Sequence, residues 1–140
     1  MVAAGAVLED KSTGEILVLK RSKNLEHHPD TWEITYGRIN QFETVEQGLR
    51  REYKEETGIA DFEIIKILRC WKIFRGEEAA ENELIGITYW CQVNQKPKVI
   101  ISDEHSEFQW VTPKGALSLI KVEGIQQDIY TFLTSKEEIC

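Results

Sequence analysis

The feature that most constrains this chain is a helix whose acids lie on its apolar side. Residues 45–57 read VEQGLRREYKEET. Thr44 before them is a residue type that caps helix N-termini, and Gly58 after them is the type that most often closes helices. At about 100° per residue, with Val45 at zero, Val45, Leu49 and Tyr53 fall near ~0°, ~40° and ~80° and make a compact apolar stripe. Glu46, Arg50, Lys54 and Thr57 point to roughly 100–180°, the expected solvated side. Glu52, Glu55 and Glu56 fall near ~340°, ~280° and ~20°. Carboxylates spaced i, i+3 and i+4 share a face and repel one another. A solvated acidic face would lie opposite the stripe, whereas two of these acids lie on it or at its edge. Burying unpaired carboxylates is costly, so the cluster is easiest to understand if a cation sits on it. Gly48, near ~300°, leaves a gap on the same face. A mid-helix glycine costs up to ~1 kcal/mol relative to alanine, which makes sense where something must approach the helix closely.

The rest of the chain reads as short strands and two further helices. Val2 to Leu8 and Ile16 to Leu19 are apolar runs joined by the turn Lys11-Ser12-Thr13-Gly14, a predicted hairpin. Residues 22–30 read as a polar loop containing His27, His28 and Pro29. Trp32 to Ile39 is a predicted third strand that leads into Gly37. Phe62 to Phe74 and Leu84 to Val93 are predicted partners across an acidic loop. Val99 to Ile101 reads as a short extended piece, Asp103 to Glu107 as a loop, and Phe108 to Val111 as the last strand. Pro113 opens a helix at its first turn, and a last helix runs from about Ile125 to Leu133. The expected fold is α/β (α+β by some conventions) with a mixed sheet, in a single domain spanning 1–140. At this length a real core can be buried.

The net charge of −7 disfavours long nucleic acid, which needs Lys and Arg to displace counterions. It leaves room for a small phosphorylated ligand, because bound divalent cations invert the local field. No apolar run approaches the ~20 residues of a membrane helix, and no signal peptide is evident. Cys70, Cys91 and Cys140 are far apart and odd in number. That argues against a zinc or disulfide framework and for a reducing, cytoplasmic setting, with Cys70 and Cys91 as buried strand residues. Cys140, as the last residue, cannot head a prenylation motif.

Residues 37–59 read GRINQFETVEQGLRREYKEETGI. The run resembles the Nudix box: Gly, five residues, Glu, seven residues, Arg-Glu, an apolar residue, any residue, Glu-Glu, any residue, Gly, apolar. Gly37, Glu43, Arg51, Glu52, Tyr53, Glu55, Glu56, Gly58 and Ile59 fill every fixed position. The chain departs from many members just before the box, where Tyr36-Gly37-Arg38 replaces a Gly-Gly often preceded by Pro. Arg38 there narrows the turn's freedom or reaches toward a phosphate.

The resemblance implies an α/β/α sandwich and hydrolysis of a pyrophosphate bond in a nucleoside diphosphate linked to another moiety. It implies Mg²⁺, or Mn²⁺, held by Glu52, Glu55 and Glu56 with the Gly37 carbonyl as a further ligand. Oxygen-only clusters of this kind suit hard cations. Arg51, at i, i+4 from Glu55, would orient that acid. Glu43 would brace the loop and helix, through the helix N-terminus, and Gly58 would close the helix. The proton acceptor lies in the box helix or near the last strands, where Glu104, Glu107 and His105 are candidates. Glu104, six residues before Trp110, resembles an additional metal-binding acid of some relatives.

Candidates for the rest of the substrate are Arg38 and Arg75 for phosphate, His27 and His28 before the third strand, and Trp32, Phe74, Trp90 or Trp110 for stacking. Each of these aromatics reads as core ahead of ligand contact. Two other functions compete. His28-Pro29 and Trp32-Glu33-Ile34-Thr35 loosely resemble isopentenyl diphosphate isomerase, which needs a cysteine near the following loop, where this chain has none. A non-catalytic nucleotide-binding module usually lacks a box acid, and this chain keeps them all. A homodimer is common in such families. Nucleoside triphosphates, ADP-ribose and nucleotide sugars, and dinucleoside polyphosphates all remain open as substrates.

Overall fold

The strand β1, Val2–Asp10, buries eight of its nine residues, and the rest of the sheet is arranged around it. The computed structural model describes residues 1–139; Cys140 lies outside the described residues. On one side β1 runs parallel to β6, Glu83–Val93, which pairs antiparallel with the outer strand β5, Glu63–Phe74. On its other side β1 meets β4, Thr35–Arg38, near its start and β2, Ile16–Arg21, near its end, both antiparallel. β2 also pairs with β3, Trp32–Glu33, and with β7, His105–Val111. The result is a seven-stranded mixed sheet.

Both faces of that sheet are covered, which is why Ala3 to Leu8 of β1 carry no polar side chain on either face. Ala4, Ala6 and Leu8 face α1, Val45–Thr57, and pack with Leu49 and Tyr53. Val7, Val18 and Ile34 face α2, Pro113–Leu119, and α3, Glu123–Ile139, and pack with Ile120, Ile129 and Phe132. The α/β/α layering is therefore present. Thr44 caps α1 in a full capping box with Gln47, and Gly58 closes it at φ 78°, a left-handed position that suits glycine.

Several elements differ from the expectation. The strand expected over Trp32 to Ile39 is broken, because the chain changes partner from β2 to β1 at the fully buried Ile34. The short extended piece at Val99 to Ile101 joins no strand of the sheet. Its neighbourhood instead satisfies helix carbonyls: the Ile100 amide donates to Thr57 O at 2.9 Å and the Ser102 amide to Glu56 O at 3.3 Å. That cover also buries Thr57, which the helical angles had placed in solvent. Arg50 likewise turns inward: its Nη1 donates to the Ala60 and Phe62 carbonyls at 2.9 and 2.8 Å. β7 starts three residues early and takes in His105 and Glu107, and α3 is longer than expected. Cys91 is buried as expected, but Cys70 is exposed, because it lies on the outer strand.

The capping box makes a clean test. Thr44→Ala removes an acceptor for the Gln47 amide at 3.1 Å and should cost about 1 kcal/mol. Urea unfolding should show a lower midpoint with an unchanged slope; an unchanged midpoint would mean that the cap contributes nothing.

Candidate functional site

Arg51 is the hub of the helix's acidic face. Its Nη2 donates to Glu43 Oε1 at 2.7 Å and to the Arg38 carbonyl at 2.8 Å. Its Nε donates to Glu43 Oε2 at 3.1 Å, and its Nη1 to Glu52 Oε1 at 2.8 Å and Glu55 Oε2 at 3.3 Å. One guanidinium thus ties the loop after β4 to two helical acids through charge-assisted bonds. Glu43 also accepts the Asn40 amide at 2.6 Å. Its brace therefore runs through Arg51 and the Asn40 amide. Arg51, followed by the Asn40 amide, holds the Glu43 carboxyl below its ordinary range.

Two glycines make the close approach of loop and helix possible. A β-carbon on Gly37 would overlap the Glu52 side chain, and one on Gly48 would press on Ile39 and Glu43. The gap that Gly48 leaves is therefore filled by the chain's own loop.

The three acids have different surroundings. Glu55 is open, with its side chain 59% exposed. Glu52 is half-buried; burial pushes its carboxyl up, Arg51 opposes this, and Glu55 and Glu104 add to the rise. Glu56 is buried and its Oε2 has no hydrogen-bond partner. Burial pushes its carboxyl up to about 10, with Glu104 and Glu33 beside it adding to the shift. The donors here are all carboxylate and carbonyl oxygens, the chemistry that hard divalent cations take. An unpartnered buried oxygen is what such an ion would satisfy. Among the described residues no three His, Cys, Asp or Glu side chains already form a closed coordination cluster.

Glu33 is a residue that the sequence reading passed over. It stands on β3, nearly buried, and its Oε2 meets His105 Nε2 at 2.7 Å and Arg21 Nη1 at 3.3 Å. The signal for it was an acid between the apolar Trp32 and Ile34 of a predicted strand. His105, expected on a loop, is buried at the start of β7 with its Nε2 on Glu33 and its Nδ1 unpartnered.

The acids open onto a cleft of about 630 Å³ lined by Gly37, Glu52, Glu56, Glu104 and Glu33. Arg38, Arg75, His27 and His28 line it as well. Trp32, Glu55 and Glu107 are not among its lining residues. Trp32 packs against the core, and Glu107 faces Lys20 at 3.5 Å on β7. Trp90 and Trp110 also pack with the core, and Phe74 lies under Lys72. The aromatic lining comes instead from Tyr36 and Trp71, joined by Arg69 and Asp128. Neither Cys70 nor Cys91 lines the cleft, so neither supplies the thiol that an isomerase would use.

A family model, the NUDIX domain, matches residues 1–133. The chain belongs to the Nudix hydrolase family. It is 40% identical over 63 residues to Nudix hydrolase 7 of Arabidopsis thaliana, a match covering 44% of this chain but only 22% of that protein. It is 26% identical over 112 residues to the nucleoside triphosphatase NudI of Salmonella agona, covering 74% of this chain and 77% of that one. Its fold matches the MutT protein of Methanosarcina mazei with a TM-score of 0.77 at 25% identity, over 98% of this chain and 94% of that one. No helix among the described residues is long and apolar enough to cross a membrane.

The Glu56 environment predicts a pH dependence. Its folded carboxyl, raised from 4.5 to about 10, binds a proton more tightly than the unfolded chain does. Stability of the metal-free protein should therefore be full below the unfolded value and fall as pH rises toward the folded one. Glu56→Gln should be more stable than the parent at about pH 8, with the gap closing at about pH 4. Thermal melts across that range check this; parallel curves would show that Glu56 carries no such penalty.

Proposed function

We propose that this chain hydrolyses, with Mg²⁺ or Mn²⁺, a pyrophosphate bond in a nucleoside diphosphate linked to another moiety, acting as one domain over 1–140. The observation that carries the reading is the Glu56 carboxyl, buried with a free oxygen at the acidic end of a cleft whose other walls are cationic and aromatic. Glu52, Glu55 and Glu56, with the Gly37 carbonyl, would hold the ion. Such an ion neutralises phosphate charge and lowers the pKa of a water. Arg51 does not reach the cleft lining; it is a positioning residue that keeps Glu52 and Glu55 aimed and the loop closed on the helix. Glu104 borders both Glu56 and the cleft and is the proposed acceptor of the water's proton. Arg38, Arg75 and His28 meet the phosphates. The acidic net charge of −7 fits a small substrate drawn in by a cation rather than a long nucleic acid. NudI's description as a nucleoside triphosphatase supports triphosphates as the first class to assay. Unpaired Cys70 and Cys91 fit a cytoplasmic site of action.

The test is phosphate and pyrophosphate release, with and without Mg²⁺, from nucleoside triphosphates, ADP-ribose, nucleotide sugars and a diadenosine polyphosphate. Metal-dependent turnover of one class is expected, lost by several orders of magnitude in Glu55→Gln and Glu56→Gln. Silence across the panel from a folded, Mg²⁺-binding protein would overturn the reading. Glu104→Gln should lower kcat with less change in KM, as expected of a group that acts mainly in the transition state. An unchanged kcat would remove Glu104 from the chemistry.

A further inference from the structure

The end of the cleft away from the helix acids presents two aromatic rings and the Arg69 guanidinium. Two aromatic rings make its floor by lying over missing side chains. A β-carbon on Gly5 would overlap the Tyr36 ring, and one on Gly86 would overlap the Trp71 ring. The two rings meet edge-on with centroids 5.5 Å apart. Their polar atoms are used up beneath them. Trp71 Nε1 donates to Thr88 Oγ1 at 3.1 Å, and the Tyr36 hydroxyl bonds Thr88 Oγ1 at 2.8 Å and Asp128 Oδ2. What Trp71 offers the cleft is therefore its π surface, one face of its ring being laid on Gly86.

Arg69 stands two residues before Trp71 on the same face of β5. Its Nη1 is held by Asp128 Oδ1 at 2.7 Å and by the Gly124 carbonyl at 3.0 Å. Asp128 is 1% exposed at its side chain and Arg69 26%. Both Asp128 oxygens are thus engaged, and Asp128 acts to aim Arg69. Among the described residues, Arg69 Nε and Nη2 have no hydrogen-bond partner. Strands β5, β6, β1 and β4 lie in sequence across the sheet. Three inter-strand steps separate the backbones of Arg69 and Trp71 from that of Gly37 by about 14 Å.

We propose that this end of the cleft takes a 6-oxopurine base, stacked on Trp71 and read by the free N–H groups of Arg69. This rests on the nucleotide reading above and narrows it. Arginine only donates, and it pairs bidentately with the O6 and N7 acceptors of a 6-oxopurine. Adenine places an N6 donor where O6 would be, so it sets donor against donor. Stacking on Trp71 holds either purine and does not discriminate.

The test is binding of inosine and adenosine 5′-monophosphates by calorimetry, which needs no hydrolysis. The inosine nucleotide should bind at least about tenfold more tightly than the adenosine nucleotide. Arg69→Gln should bring the two within about twofold. Arg69→Lys keeps a charge beside Asp128 and should lose the preference even if Arg69→Gln fails to fold. Trp71→Leu should weaken both nucleotides alike and keep their ratio. Equal binding of the two by the parent protein, binding of neither, or a preference that survives both Arg69 variants would overturn the proposal. A base preference in a protein that hydrolyses nothing would sink the hydrolase reading alone. Turnover without a base preference would sink this proposal alone.

Discussion

The site depends on the Arg51 guanidinium. Three acids on one helical face repel, and the loop brings a fourth carboxylate, Glu43, against them. Arg51 answers both problems with one fork. It bonds Glu43 and the Arg38 carbonyl on the loop side and Glu52 and Glu55 on the helix side. A lysine would supply the charge but not the planar set of donors. Because the loop is pulled down this way, Gly37 is brought against Glu52, and Glu52 and Glu56 face the cleft while Glu55 stays open to solvent.

Positions without side chains do as much to shape the site as the charges. Gly37 and Gly48 let the loop lie on α1, while Gly5 and Gly86 let two rings lie on the sheet. One pair brings the acids to the cleft, and the other gives it an aromatic floor from Tyr36 on β4 and Trp71 on β5. Substituting either floor glycine would displace a rigid ring rather than a flexible chain end, and overpacking of that kind costs about 1–3 kcal/mol.

How much of this was legible depended on whether the partners are near in sequence. The α1 helix, its caps and the bias of its acids follow from 3.6-residue geometry, so Glu56 could be placed on the buried side from its angle alone. Thr57 and Arg50 were misplaced by the same geometry, because their burial comes from residues 60–62 and 100, which the helical wheel does not contain. The cleft floor was out of reach for a related reason. Trp71, Thr88, Tyr36 and Asp128 meet only through strand register and the docking of α3. Nothing in the spacing of the aromatic residues distinguished Trp71 from the core Trp90. Glu33 carried a faint signal, an acid between apolar Trp32 and Ile34, but its pairing with His105 needed β2 to lie between β3 and β7.

Glu56 shows why such a site has to be assembled against the preference of the fold. Its carboxyl is buried beside Glu33, Glu52 and Glu104 with one oxygen unpartnered. Arg21 engages Glu33 and Arg51 engages Glu52, so these two guanidiniums are committed to its neighbours. Burying an unpaired polar oxygen is destabilising, and a neutral side chain of the same shape would remove the penalty. The core around Leu49, Tyr53 and Leu8 holds α1 in place despite it. The stability lost at this position is consistent with a site kept short of one positive charge, which a cation arriving with a phosphate would supply.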